Sequence, residues 1–133
     1  MKEPRFLLME EVLGIHAHQI EMYCGSFGVR DAGSLLSAVA APQASFAGEL
    51  FHATVFEMAA AYLFHLARNH PFIDGNKRAA LASALVFLEL NDVSIEAPDQ
   101  ELIEMVLRVA TGKESKSGAA VFLERFRTPG QGS

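Results

Sequence analysis

The chain has 133 residues, half of them apolar, and carries 11 basic against 16 acidic residues, which gives a net charge of −5. A chain of this length folds as one domain, and its apolar content excludes a mainly disordered protein. The acidic balance disfavours DNA or RNA as a direct partner, because nucleic-acid readers present a basic face. No apolar run reaches the about 18 residues of a membrane span, and the first residues do not read as a signal peptide, so no membrane partner and a cytoplasmic location are expected.

Helical patterns fill most of the chain. The apolar spacing predicts a first helix over residues 9–23. Asp31 can cap a short second helix, which ends at residues 41–43. Residues 44–51, with a glycine in the middle, are expected to form a loop.

Two long helices are predicted in the middle of the chain. The first covers about residues 53–69 and stops at residues 69–71, because a residue before proline resists the helical region. The second begins at Asp74 or Gly75 and runs to Leu90. Both are apolar on nearly every side, which is typical of helices in the middle of a domain.

The last third of the chain continues the helical pattern. Residues 93–96 read as a brief strand or, equally, a short extended loop. A fifth helix over residues 98–112 has proline in its first turn, and a sixth covers residues 118–126. We therefore predict an all-α bundle of about six helices, with one domain over residues 1–127 and a disordered tail over residues 128–133.

The run from His70 to Arg78 reads His-Pro-Phe-Ile-Asp-Gly-Asn-Lys-Arg and lies where one central helix stops and the next begins. A helix N-terminus presents free backbone N–H groups and the positive end of its dipole, so it holds anions, phosphate above all. Gly75 leaves a phosphate room to approach the backbone, and Asn76 can donate an amide hydrogen bond. Lys77 supplies a point charge and Arg78 a planar fork that binds phosphate with two hydrogen bonds.

Three further side chains of the run have expected roles, two of them in nucleotide chemistry. Asp74 is a candidate Mg²⁺ ligand, because Mg²⁺ in phosphate sites often takes only one or two protein carboxylates. His70 is placed to accept a proton from an attacking hydroxyl, and Phe72 is expected to point inward and anchor the loop. The residue types alone also allow a plainer interpretation, in which the run is a helix stop, a helix cap and two solvated cations.

Other chemically active residues have simpler interpretations. Cys24 cannot form an internal disulfide, because it is the one cysteine, and is interpreted as a small, partly buried apolar residue. The remaining histidines lack the spacing of metal ligands and are interpreted as surface or core residues. They are His16, His18, His52 and His65.

The run resembles the signature loop of the Fic/Doc superfamily, His-x-Phe-x-Asp/Glu-Gly/Ala-Asn-Gly/Lys-Arg, and meets all of its fixed positions. Residues 28–31, 42–43 and 45–46, together with the compact length, resemble the death-on-curing (Doc) branch. The resemblance covers about residues 8–90. It implies an all-α fold in which the loop joins two central helices.

The resemblance also implies roles for the residues of the loop. His70 is the general base and Asp74 the Mg²⁺ ligand, and Arg78 takes part in catalysis with them. The residues implied to hold the phosphates of ATP are Gly75, Asn76, Lys77 and Arg78.

The reaction type depends on the position of Lys77. Fic enzymes have glycine there and attach AMP to a hydroxyl, whereas Doc-type toxins have lysine and act as kinases. A glycine leaves room for an α-phosphate, whereas a lysine fills that room with charge and favours presentation of the terminal phosphate. The resemblance therefore implies γ-phosphoryl transfer from ATP to a Ser or Thr of a protein, by resemblance elongation factor Tu, with arrest of translation. Gly75 departs slightly from the Doc pattern, where alanine also occurs, so AMP transfer remains an alternative, as does a catalytically silent binding module.

Regulation by a partner is implied as well. Doc-type toxins are held in check by a small antitoxin encoded beside them, whose disordered C-terminal segment folds onto the toxin and blocks its site. Residues 45–50 match a self-inhibitory Ser/Thr-x-x-x-Glu-Gly/Asn motif only in part, with Leu50 in the last place. We interpret this as a chance match, which agrees with control by a separate partner.

Overall fold

Six helices account for most of residues 3–129, the part of the chain that the computed structural model describes. In chain order they are α1 (Met9–Tyr23), α2 (Ala32–Ala40), α3 (Val55–Asn69), α4 (Asn76–Leu90), α5 (Asp99–Ala110) and α6 (Lys116–Arg125). A 3-10 turn at Ala41–Gln43 follows α2. The predicted all-α bundle is confirmed. Within residues 3–129, no helix has both the length and the apolar character that crossing a membrane requires.

The helix α3 lies at the centre of the bundle and contacts α2, α4, α5 and α6. Four alanines are among its nine buried residues, so the neighbouring helices can approach its backbone closely. Its packing partner α4 buries a further six residues, three of them alanines. Because α3 and α4 form the middle of the core, the loop that joins them stands on a rigid base.

The bounds of α3 follow from its caps. Its first residue is Val55 and not Ala53, because Thr54 is the N-cap and its hydroxyl accepts from the N–H of Glu57 at 3.1 Å. At the other end, His70 leaves the helical region and Pro71 prevents its return. The predicted stop at residues 69–71 therefore agrees with the structure.

The helix α1 packs against α4 and α2. Its buried residues Val12, His16 and Ile20 are four apart and form one inward stripe. This stripe brings a histidine and an isoleucine from α1 to the start of α4. The contacts to the loop between α3 and α4 therefore come from the second half of α1 and not from its first turn.

Residues 44–51 differ from the predicted loop. They form a small antiparallel hairpin of β1 (Ser45–Phe46) and β2 (Glu49–Leu50). The turn residues Ala47 and Gly48 both have positive φ, 53° and 83°, as a two-residue hairpin turn requires. Two-residue strands carry no periodicity, which is why the sequence did not reveal them.

Residues 93–96 pair with the chain that follows α6. Ile95 forms an isolated antiparallel bridge with Arg127, and the N–H of Thr128 donates to the carbonyl of Ser94 at 2.8 Å. The segment is thus extended and hydrogen-bonded, although it is too short for a regular strand. The tail that the sequence predicts to be disordered covers residues 128–133, of which residues 130–133 lie outside the described part of the chain.

Candidate active site

A left-handed residue starts the loop between α3 and α4. His70 has φ 49° and ψ 54°, and its side chain is exposed. A non-glycine residue in this region costs of the order of 1–3 kcal/mol and persists only where its surroundings hold it. Neighbouring segments must therefore fix the loop.

The first of these segments is residues 28–31, which run antiparallel to residues 71–73. The successive N–H groups of Arg30 and Asp31 both donate to the carbonyl of Pro71, at 2.8 and 3.1 Å. The residues before the short second helix, which resemble the Doc branch, thus pair directly with the signature loop.

Asn76 holds the loop from its other side. Its Oδ1 accepts from the N–H of Phe72 at 2.9 Å, and its Nδ2 donates to the carbonyl of Phe72 at 3.0 Å. The side chain therefore clamps the loop backbone with two hydrogen bonds. The second hydrogen of Nδ2 remains free to bind a phosphate. The predicted phosphate-binding role of Asn76 therefore stays a prediction, in addition to its structural role as a clamp.

Phe72 and His16 join the loop to α1. Phe72 is 1% exposed, and its ring stacks on the imidazole of His16 with centroids 3.7 Å apart. His16 lies within hydrogen-bond distance of the loop as well, because its Nε2 is 2.7 Å from the backbone oxygen of Asp74, to which it donates. Sequence reasoning left His16 as a surface or core residue and missed this contact. The four-residue spacing of Val12, His16 and Ile20 is the pattern that could have placed His16 on the inward face of α1.

The carboxylate of Asp74 is exposed and accepts two backbone hydrogen bonds. They come from Ser26 to Oδ2 at 3.2 Å and from Gly75 to Oδ1 at 2.8 Å. These hydrogen bonds, with a smaller contribution from the charge of Arg78, lower the pKa of Asp74 below its usual value. The group is therefore ionised at neutral pH, as a ligand for a hard cation must be.

Two glycines make this arrangement possible. A Cβ at Gly25, whose φ is +139°, would lie 2.7 Å from Oδ2 of Asp74. A Cβ at Gly75, whose φ is +74°, would lie 2.9 Å from Cδ1 of Ile20. Glycine is needed at both positions, because a positive φ is unfavourable for other residues and because a Cβ would clash with a neighbouring side chain.

Arg78 caps the end of α1. Its Nη2 donates to the carbonyl of Cys24 at 3.0 Å and its Nη1 to that of Tyr23 at 3.4 Å, while Nε is buried without a partner. Because α1 has no basic residue in its last turn, Arg78 is the cation at its negative end. Cys24 is exposed with φ 65°, so the predicted partial burial of this residue is wrong: it lies past the last turn of α1, where the chain reverses.

The start of α4 faces the same region. Gly75, its N-cap, has no side chain to accept from the first N–H groups of the helix. Lys77 is exposed on the first turn and lines, with Arg78, a cavity of about 270 Å³ between α4 and α5. The other lining residues are Leu81, Ile103, Val106 and Leu107. A free helix N-terminus and two cations are thus next to an apolar cavity.

A second titratable cluster lies away from the loop. The ammonium of Lys116 is 3.3 Å from Nε2 of His52 and 3.2 Å from Nε2 of His65. Burial and the charge of Lys116 lower the pKa of His65 to about 4, and lower that of His52 as well. Within residues 3–129, no three His, Cys, Asp or Glu side chains come together as a metal site would require.

The fold and the loop define a class: an α-helical domain whose two central helices meet at a turn that carries an ionised carboxylate beside an uncapped helix N-terminus. A model of the Fic/DOC family matches residues 6–88, more than half of the chain, and the chain belongs to this family. It is 38% identical over 123 residues to the protein kinase doc of Escherichia phage P1, a match that covers 92% of this chain and 95% of the relative. It is 48% identical over 73 residues to the toxin Doc of Mycolicibacterium smegmatis, covering 55% of this chain and 56% of that relative. The resemblance to the Doc branch is confirmed.

Proposed function

We propose that this protein is a Doc-type toxin that transfers the γ-phosphate of ATP to a Ser or Thr hydroxyl of a protein. The observation that carries the proposal is the loop of residues 70–78, where a fixed turn brings an exposed imidazole, an ionised carboxylate and two cations to one helix N-terminus. The names of the two relatives, a protein kinase and a toxin, support it.

The start of α4 would bind the phosphates. Its unshielded N–H groups and the ammonium of Lys77 offer several donors to one polyanion, and Arg78 adds its positive charge and the Nη hydrogens that the carbonyls of Tyr23 and Cys24 leave free. A hydrogen bond to a charged group contributes roughly 1.5–3 kcal/mol when it is well placed. The apolar cavity next to Lys77 offers a surface for the flat base of a nucleotide.

The donor set fits a magnesium ion. Asp74 is ionised, exposed and adjacent to the phosphate cradle, and Mg²⁺ at such sites needs only one or two carboxylates. Asp74 would hold the ion. A magnesium ion held there would supply positive charge to neutralise the phosphates.

His70 would act as the general base. Its imidazole takes the proton of the attacking hydroxyl while the oxygen forms a bond to the γ-phosphorus, and the bond to ADP breaks. Because His70 is exposed, a side chain of another protein can reach it. A base positioned in this way contributes about 10²–10⁴-fold in rate.

The reaction type is tested by the fate of two labels. The protein is incubated with a bacterial lysate, and separately with purified elongation factor Tu, together with ATP labelled at either the α- or the γ-phosphate. Transfer of the γ-label alone to protein is expected. Transfer of the α-label would support AMP transfer, the alternative that Gly75 keeps open. Transfer of neither label would contradict both activities and favour a silent binding module.

The biological setting follows from the toxin assignment. We propose a toxin–antitoxin module of the cytoplasm, in which a disordered antitoxin segment folds onto the loop and blocks it. Phosphorylation of a translation factor would then arrest translation when the antitoxin is lost. Co-expression with the neighbouring open reading frame should relieve growth arrest, and unrelieved arrest would contradict this setting.

A further inference from the structure

One residue outside the signature loop binds three consecutive carbonyls at the end of α3. The Nε of Arg30 donates to the carbonyl of His70 at 2.6 Å, and its Nη2 donates to that of Asn69 at 3.0 Å. Its backbone N–H donates to the carbonyl of Pro71 at 2.8 Å. Arg30 therefore holds the main chain on both sides of the imidazole through three backbone hydrogen bonds.

The conformation that Arg30 holds is unfavourable by itself. His70 is left-handed, and it precedes a proline, which disfavours helical conformations of the residue before it. The last carbonyls of α3 have no partner within the helix, so a forked cation there satisfies them and complements the negative end of the dipole. The side chain thus supplies both the hydrogen bonds and the charge that stabilise this turn.

We propose that Arg30 is a positioning residue for His70, which it orients through the backbone. The inference rests on the proposed function, in which His70 is the base. Misplacement of a catalytic group by about 1 Å can cost of the order of 10²-fold in rate. Loss of the fork leaves His70 free to relax from its left-handed conformation, and the imidazole then moves away from the hydroxyl that it deprotonates.

The guanidinium geometry makes the inference specific. Its two N–H donors match two successive carbonyls, whereas the ammonium of a lysine is a single point charge. Arg30→Lys should therefore retain part of the positioning effect, whereas Arg30→Ala should lose it. Arg68 provides a matched control, because it lies in the last turn of α3 and its guanidinium packs over the ring of Phe64 at 5.4 Å.

The kinetic test compares Arg30→Ala, Arg30→Lys and Arg68→Ala at a temperature where thermal unfolding shows each to be folded. For Arg30→Ala, kcat should fall about 10- to 10²-fold while KM for ATP stays within about twofold. Arg30→Lys should be intermediate and Arg68→Ala close to wild type. A loss of stability with unchanged kcat would show a purely structural cap and overturn the inference.

A second measurement does not depend on activity. The Cε1–H signals of ¹³C-labelled histidines report the setting of each ring, and the exposed His18 is an internal reference. In Arg30→Ala the His70 signal should shift and broaden while that of His18 stays in place. If the wild type transfers no phosphate but this change occurs, the proposed function fails and the positioning role stands. An unchanged His70 signal in folded protein overturns the inference whatever the activity, and Arg30→Gln replaces Arg30→Ala if the latter does not fold.

Discussion

Within the signature loop, some side chains face the solvent and others hold the backbone. His70, Asp74 and Lys77 are exposed, so they are free to meet a ligand. Asn76 and Phe72 are directed at the protein, one as a clamp on the main chain and the other as a buried ring. The position of the exposed side chains thus depends on residues that hold the backbone of the loop.

Replacement of His70 by alanine separates binding from chemistry. His70→Ala should abolish phosphate transfer and leave Mg²⁺·ATP affinity within about threefold, because the ring is assigned to the hydroxyl and not to the nucleotide. Transfer of labelled phosphate and calorimetric titration measure the two. A variant that modifies its target at the wild-type rate would show that His70 is not the base.

Replacement of Asn76 removes the clamp on Phe72. Asn76→Ala leaves two partly buried backbone groups without their partners, so the free energy of unfolding should fall by about 1–3 kcal/mol. Urea unfolding followed by circular dichroism measures this. Asn76→Asp is a matched variant that keeps the acceptor for the N–H but turns an oxygen toward the carbonyl of Phe72. If both variants retain wild-type stability, the clamp does not hold the loop.

At the scale of elements, α1 and the segment after it form one side of the site. His16 and Ile20 from α1 contact the loop, and the N–H of Ser26 binds Asp74. Gly25 lies so near the loop that a Cβ there would be 2.7 Å from Oδ2 of Asp74. The position of the Asp74 carboxylate therefore depends on a glycine that is distant in the sequence.

A methyl group at Gly25 should displace the carboxylate of Asp74. Gly25→Ala requires a strained φ and places a Cβ 2.7 Å from Oδ2 of Asp74, so Mg²⁺-dependent nucleotide affinity should drop at least about tenfold. Gly14→Ala is the control, because a Cβ there meets nothing within 4 Å and the residue is inside α1. The control should be more stable by roughly 0.5–1 kcal/mol and bind normally. Equal nucleotide affinities for the two variants would contradict this role of Gly25.

The sequence was informative about elements where the signals are local. Asp31 caps α2 as predicted, with its carboxylate accepting from the N–H of Ser34, and Pro71 ends α3. The contact between His16 and the loop could not be read in this way, because it joins residues 58 positions apart. The second role of Asn76 was equally hidden, since an amide four residues from Phe72 meets its backbone only when the loop turns back.

For the whole molecule, the partly buried cluster of Lys116, His52 and His65 connects the segment before α3, the helix α3 itself and the start of α6. The folded protein keeps His65 neutral, because burial and the charge of Lys116 lower its pKa from 6.5 to about 4. The unfolded chain takes up a proton in this pH range and the folded protein does not. Stability therefore falls as the pH drops from about 6.5 to about 4 and levels off below that.

The pH dependence of unfolding tests this cluster. Between pH 6.5 and 4 the wild type should lose stability of the order of 1 kcal/mol, less than the full linkage value, because solvent screens the partly buried ring. His65→Gln should flatten the curve, whereas His18→Gln, at an exposed position, should not. A curve that keeps its wild-type slope in His65→Gln would contradict the assignment.

Calorimetric titration with ATP, with and without Mg²⁺, tests the central claim that residues 70–78 bind a magnesium-bound nucleoside triphosphate. One molecule of ATP per chain should bind in the presence of Mg²⁺. Lys77→Ala should weaken binding at least about tenfold, because one charge-assisted hydrogen bond to phosphate is lost. Arg125→Ala is the control. Arg125 is an exposed cation on the last turn of α6, 3.7 Å from the carboxylate of Glu101, and its loss should leave ATP binding as in the wild type. No uptake of ATP with Mg²⁺ present, or equal affinity in Lys77→Ala and the wild type, would contradict the account.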